Sequence, residues 1–225
     1  MSRQLDRAEL LKRFKSQGAE LLIQVASLLQ GGILSAAAFS LIEILRAPSE
    51  TVLRLILWLM SVVLSLVIFS RICSRAPFVT HAGIDVLFMV PIMGLFEIIL
   101  FAVLASSALG QGGWRYWYVA ATLFAAASFL ATWINLRALK REQYGDDAET
   151  AFFGYKAILR RSCVETMVVA ICTAALTVWF LSMPSDWPYA IIVVSVHVAL
   201  SIIASFVGAQ QEAREADALS RKLAA

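Results

Sequence analysis

Charged residues are scarce in this chain, and their scarcity indicates its class. Asp, Glu, Lys and Arg make up 16% of the 225 residues, whereas hydrophobic residues make up 60%. Soluble domains rarely have such a composition, and the apolar residues fall into long runs of the kind that cross a lipid bilayer. The net charge of +3 forms no basic stripe. We therefore expect the bilayer as the surroundings and no nucleic-acid partner.

The residues that carry most catalytic and cofactor chemistry are also few. The chain has two histidines and three cysteines, and it contains no CxxC, H-E-x-x-H or G-x-S-x-G motif. All five lysines lie outside the long apolar runs, which excludes a retinal Schiff base in the membrane. We therefore expect no enzyme and no bound metal or other cofactor, and the cysteines are interpreted as packing residues.

Six apolar stretches predict an all-α, polytopic membrane domain over residues 20–209. The predicted spans are residues 20–45, 51–73, 81–104, 114–137, 163–183 and 187–209. Short turns join them into three helical hairpins. Three further segments flank or interrupt this domain: an amphipathic N-terminal helix over residues 1–19, a loop over 138–162 and a polar tail over 210–225.

The distribution of Lys and Arg predicts the orientation of these spans. Sixteen of the 19 basic residues fall in the N-terminal segment, the second and fourth loops and the C-terminal tail. Basic residues favour the cytoplasmic side, so both termini are expected there, in a bacterial-type inner membrane. The exceptions are Arg46, which is expected to pair with Glu43 at the outer surface, Arg54 and Arg115. Arg54 is expected to snorkel to the interface or to pair with Glu43.

The third predicted span carries two acidic residues, Asp85 near one end and Glu97 deep inside. A carboxylate at such a depth is costly and marks a functional site by default. Pro91 and Gly94 precede Glu97 by a few residues, and this spacing predicts a kink in the helix.

The sixth predicted span carries the second intramembrane group, His197, with Ser201 and Ser205 on the same helical face. At 1.5 Å per helical residue, His197 and Glu97 lie within about one turn of each other in depth. We predict that they approach each other inside the bundle and form a proton or cation site. The alternative is that a serine or a backbone carbonyl satisfies each of them separately.

Amphipathic segments on the predicted cytoplasmic side indicate an interaction surface. Residues 3–18 have one apolar helical face with basic flanks, which suits either a membrane surface or a solvated lead-in to the first span. The loop carries three aromatic and two basic candidates: Phe152, Phe153, Tyr155, Arg160 and Arg161. The acidic residues Asp146, Asp147 and Glu149 are interpreted as a solvated turn, because they lack the spacing of a cation site.

Two functions of different classes remain open from the sequence. The first is a proton- or cation-conducting channel or transporter, expected to be a homo-oligomer, with Glu97 and His197 as its intramembrane site. The second is a non-conducting anchor, sensor or assembly subunit that recruits a cytoplasmic partner protein. A continuous polar stripe through the bundle would favour the first, and a sealed Glu97 would favour the second.

Overall fold

The structure is a computed structural model that describes residues 7–46, 50–78, 90–110, 112–139, 149–184 and 187–224. Within these ranges it describes no side chains for residues 7–18, 77, 149–151, 220 and 222–224. The described residues form six α-helices and two short 3₁₀ turns, with no strand. The helices are α1 (Arg7–Arg46), α2 (Thr51–Arg75), α3 (Val90–Ala105), α4 (Arg115–Ala138), α5 (Glu149–Ser182) and α6 (Ala190–Ala224).

Five of these helices are long and apolar enough to cross a membrane, and α3 is a shorter apolar helix of 16 residues. The chain is therefore a helical, multi-pass membrane protein. Three helices extend well beyond the predicted spans: α1 is continuous from Arg7, α5 begins at Glu149 and α6 continues to Ala224. The added residues are rich in Ala, Glu, Lys and Arg, which are good helix formers, so the helices run on past the apolar stretch.

The kink predicted in the third span stays a prediction. Helix α3, as the structure describes it, runs without a break from Val90 through Pro91 and Gly94 to Ala105. A Cβ built at Gly94 would lie 3.5 Å from Leu29 of α1, which is ordinary van der Waals contact, so the packing of α3 on α1 leaves room for an alanine there. His81 and Asp85 lie outside the described residues.

The two helices of the third predicted hairpin, α5 and α6, each pack mainly on another helix. Helix α5 packs most extensively along α4, and α6 packs most extensively along α2, while α5 and α6 touch each other less. Helix α3 lies against α1, α4 and α2. Small buried residues on α4, among them Ala120, Ala121 and Ala125, allow its neighbours to approach closely.

An aromatic cluster fills one end of the bundle, where α4 begins and α5 ends. Trp114, Trp117, Tyr118 and Phe180 are at most 2% exposed, and the Trp117 indole donates a hydrogen bond to Ser61 Oγ over 2.9 Å. An opening cluster of Trp and Tyr on this span is typical of a membrane–water interface. The structure buries Trp114, which directly precedes α4, together with Trp117 and Tyr118 of α4 in the core of the bundle.

Arg54 closes this same end of the bundle and is only 3% exposed. Its guanidinium donates to the carbonyls of Leu104 and Ser106 over 3.2 and 3.3 Å, which satisfies backbone acceptors at the end of α3. It also lies 3.8 Å from a carboxylate oxygen of Glu50. The expectation that Arg54 snorkels or pairs with Glu43 is therefore wrong. The predicted surface pair of Glu43 with Arg46 is present at 3.0 Å.

Candidate functional site

Glu97 lies on the buried face of α3 and is 5% exposed. Ser65 of α2 lies beside its carboxylate. Ser65 Oγ in turn accepts a hydrogen bond from Gln30 of α1 over 2.9 Å. The carboxylate oxygen Oε2 is buried and has no hydrogen-bond partner among the described residues. Three helices thus bring three oxygen-bearing side chains together, and one carboxylate oxygen among them is unpaired.

A small cavity of about 20 Å³ lies against Glu97. Its lining also includes Gln30, Met93 and Gly94, and the rest of its wall is apolar. A volume of this size holds about one water molecule, provided that polar groups are present to bind it. The Glu97 carboxylate and Gln30 amide supply such groups. A proton donor or a small cation at this place would lie against the Glu97 side chain.

A larger cavity of about 200 Å³ adjoins the small one. The two cavities share Ile68, Ile72, Val90 and Met93 in their walls, so they are neighbours. The larger cavity lies toward the end of the bundle at which α2 and α4 end and α3 begins. That end carries the basic residues that predict the cytoplasmic side. The two adjoining cavities therefore lead from the predicted cytoplasmic end of the bundle to Glu97.

Apolar side chains of α3 fill the bundle between Glu97 and the end that holds the aromatic cluster. On α3, Leu100, Phe101 and Leu104 follow Glu97 and are at most 2% exposed. Beyond them lies Arg54, which is bound to the end of α3. The described residues thus form no continuous polar stripe from Glu97 to the end of the bundle that holds the aromatic cluster.

His197 has partners of its own on α4 and α6. Its Nδ1 lies 3.1 Å from the Tyr118 hydroxyl, and its Nε2 lies 3.2 Å from Ser201 Oγ. Both ring nitrogens are therefore engaged, and the predicted pair with Glu97 does not form. His197 contacts Tyr118 of α4, whereas Glu97 lies near Gln30 of α1 and Ser65 of α2. Ser205, the third residue predicted on this face, is half-buried.

A network of ion pairs joins α2, α5 and α6 at the predicted cytoplasmic end. The shortest nitrogen–oxygen distances are 3.1 Å for Arg71–Glu165, 2.5 Å for Arg75–Glu212 and 2.7 Å for Arg161–Glu215. Further contacts close the network, since Arg71 lies 3.8 Å from Glu212 and Arg161 lies 3.0 Å from Glu165. Of these residues, sequence reasoning singled out only Arg161. One signal was available, because Glu165 is an acidic residue just inside the predicted fifth span.

The predicted interaction surface around residues 152–161 is partly used within the chain. Phe152 and Tyr155 are each 7% exposed and pack with Phe78 and Leu219. They are therefore core residues and are not available to a partner. Phe153, in contrast, is 53% exposed.

The two basic candidates of this surface also differ. Arg160 is exposed, whereas Arg161 is bound by Glu165 and Glu215. The acidic residues Asp146 and Asp147 lie outside the described residues, as does the apolar face predicted for residues 3–18. Phe153 and Arg160 are thus the candidates that remain available at this end of the bundle.

No family model, no curated protein and no solved structure matches the chain. Within the described part of the chain, no group of three or more His, Cys, Asp and Glu side chains could hold a metal ion.

Proposed function

We propose that the protein transports or conducts protons or monovalent cations across the membrane, with Glu97 as the intramembrane binding group. The observation that carries the proposal is the unpaired Oε2 of a nine-tenths-buried carboxylate beside a water-sized cavity. A buried polar group without a partner is expensive, and proteins keep such groups for function more often than for stability. The site differs from the predicted one, because Gln30 and Ser65 replace His197.

The ligand set suits a proton or a small hard cation. Glu97, Gln30 and Ser65 bring carboxylate, amide and hydroxyl groups from three different helices, and the Gln30 amide and the Ser65 hydroxyl are hydrogen-bonded to each other. Oxygen ligands are the ones that hard cations prefer, and a proton needs only the carboxylate and one water. Access comes from the predicted cytoplasmic end through the two adjoining cavities. Release on the other side requires the segment around Leu100 and Leu104 to move, which favours a transporter over an open pore.

A second function, the non-conducting membrane subunit, is favoured by a different observation. The far side of Glu97 is closed by apolar side chains and by Arg54, as expected for a scaffold. The extended ends of α5 and α6 would then present exposed residues such as Phe153 and Arg160 to a cytoplasmic partner protein. Both proposals keep three expectations from the sequence. The protein is not an enzyme, and it lies in a bacterial-type inner membrane with both termini in the cytoplasm. If it conducts, it forms a homo-oligomer.

Flux measurements in proteoliposomes distinguish the two functions. Wild-type protein should collapse an imposed proton or Na⁺ gradient faster than empty liposomes do, and Glu97→Gln should abolish this flux while the protein remains folded. His197→Ala should leave most of the flux, because His197 has separate partners. The matched control is Glu43→Gln, which removes an exposed carboxylate. Wild-type flux no faster than that of empty liposomes would refute conduction, and a stoichiometric soluble partner in a pull-down would then establish the scaffold.

A further inference from the structure

The larger cavity is lined by charged side chains that take no part in the binding of protons or cations at Glu97. Its volume is about 200 Å³, and its wall combines apolar side chains such as Leu22 and Met93 with the two arginines Arg71 and Arg75. Neither of the carboxylates that pair with these arginines, Glu165 and Glu212, lines the cavity. The negative charges therefore lie behind the arginines, and the guanidinium groups are the only charged groups on the described wall.

Both arginines retain hydrogen-bond donors beyond those used in the ion pairs. A guanidinium has five N–H donors in a planar fork. Arg71 directs Nη1 at Glu165, and its Nη2 makes no hydrogen bond among the described residues. Arg75 uses Nε and Nη2 for Glu212 and Ser162. A ligand with anionic oxygens would therefore find donors that the chain leaves available.

The cavity lies at the level where the apolar spans end on the predicted cytoplasmic side. Arg137, in the last turn of α4, stacks on the Trp133 ring at 4.9 Å, and Trp133 is 40% exposed. Such pairs of aromatic and basic residues are typical of the headgroup level of a bilayer. Asn135, between them, lines the cavity. A ligand at this place would thus sit where lipid headgroups are.

We propose that this cavity binds the phosphate-bearing headgroup of an anionic phospholipid. Basic pockets between transmembrane helices on the cytoplasmic side are known to bind such groups. Arg71 and Arg75 would hold the phosphate, because guanidinium forks match phosphate oxygens. The volume decides how much of the lipid enters: cavities that enclose whole drug-sized ligands begin at about 300 Å³, so only the headgroup and the first part of the chains fit.

The acyl chains would lie against the apolar surface of the bundle, which is in contact with lipid in any case. This site needs no movement of ions, so it stands whether or not Glu97 conducts. Its readouts, lipid retention and thermal stability, are independent of flux. Failure of one proposal is therefore distinguishable from failure of the other.

The first test uses the wild-type full-length protein in detergent. Native mass spectrometry after exchange into phosphatidylglycerol or phosphatidylcholine with identical chains should show roughly ten-fold preferential retention of the anionic lipid. The anionic lipid should also raise the melting temperature more than the neutral lipid does. Equal retention of both lipids would overturn the proposal. Inorganic phosphate that raises the melting temperature as much as phosphatidylglycerol does would assign the site to free phosphate and overturn the lipid assignment.

The second test locates the bound lipid. Ala131→Phe should fill the cavity and reduce retention of phosphatidylglycerol without changing any charge, and Arg71→Gln should reduce retention by removing donors. Arg46→Gln is the matched control, because it removes an exposed arginine at the opposite end of the bundle. If Arg71→Gln fails to fold, lipid retention by Ala131→Phe and the lipid preference of the wild-type protein still test the site. Folded Ala131→Phe protein with wild-type retention would place the lipid elsewhere and refute the site.

Discussion

Gly208 of α6 lies directly against the guanidinium group of Arg71 of α2. A Cβ built at position 208 would come within 2.5 Å of Arg71 Nη2 and 3.5 Å of a carboxylate oxygen of Glu165. A distance of 2.5 Å is shorter than real Cβ atoms show, so a side chain at position 208 would force the Arg71 guanidinium, the far end of a flexible side chain, to shift. The close approach lets α6 pack along α2 while the arginine stays between α6 and the Glu165 carboxylate of α5. A backbone position thus controls the geometry of the ion-pair network.

The first prediction is that Gly208→Ala displaces the Arg71 guanidinium and, relative to a helical glycine-to-alanine control, lowers the free energy of unfolding by about 1 kcal/mol, the low end of the cost of overpacking, because the displaced atom ends a flexible side chain. SDS titration in mixed micelles measures this change. Gly32→Ala is the matched control: Gly32 is helical, and a Cβ there would meet nothing within 4 Å. The control should be neutral or stabilising by up to about 1 kcal/mol, the helix-propensity difference between the two residues.

A double-mutant cycle identifies the cause of the loss. If the added methyl group acts by displacing Arg71, then Gly208→Ala should cost much less in an Arg71→Ala background. An unchanged cost in that background would show that the methyl group acts on something other than the arginine. Equal effects of Gly208→Ala and Gly32→Ala in the wild-type background would contradict the close contact itself.

The second prediction concerns the two classes of ion pair in the chain. Glu212 is 6% exposed and lies 2.5 Å from Arg75, so Glu212→Gln leaves a largely buried arginine without its charge partner. We expect a loss of about 3 kcal/mol, the scale for breaking a buried pair. Glu43→Gln, at an exposed pair, should cost at most about 1 kcal/mol. Similar stability losses in the two variants, measured by SDS titration, would disprove the structural role of the network.

These contacts show which parts of the molecule its sequence predicts. Length and hydropathy are local properties, so the long apolar helices follow from composition alone. The depth of Glu97 in the bilayer stays a prediction, because it was counted from the start of the third span, which lies outside the described residues. The partner of Glu97 does not follow. It depends on how each helix is rotated about its axis, and packing places Gln30 and Ser65 beside Glu97 while turning His197 toward Tyr118.

The sequence did not predict the ion-pair network at the predicted cytoplasmic end, for a related reason. Glu212 lies beyond the last predicted span, in the segment described as a polar tail. Helix α6 continues without a break through this residue, and the continuation carries Glu212 to Arg75. Residues far apart in the chain, such as Arg161 and Glu215, become partners only when α5 and α6 extend beyond the apolar spans together. Their separate sequence patterns resemble ordinary solvated helix ends.

The third prediction tests the orientation in the membrane. In a variant without its native cysteines, Ser107→Cys should react with an impermeant thiol reagent in intact cells, and Arg214→Cys should react only after the cells are opened. Both positions are exposed, and they lie at opposite ends of the bundle. The reason is the excess of basic residues at the end that carries Arg214. The reverse labelling pattern would place both termini outside.

The fourth prediction separates packing from recognition at the charged end. Phe152 is 7% exposed and Phe153 is 53% exposed, although the two are adjacent in the chain. Phe152→Ser removes a ring from the cluster with Phe78 and Leu219, so it should lower the free energy of unfolding by about 3 kcal/mol or more. Phe153→Ser should change it by less than about 0.5 kcal/mol, as surface substitutions usually do.

The same two variants then report on a partner. If the exposed Phe153 contacts a cytoplasmic protein, Phe153→Ser should reduce recovery of that protein in a pull-down while leaving stability unchanged. Phe152→Ser should reduce recovery only in proportion to the fraction of protein that unfolds. Equal stability losses in the two variants would contradict the different burial of the two rings. A Phe153→Ser protein with unchanged stability and wild-type recovery would remove Phe153 from any partner surface and leave it as a residue that faces lipid or water.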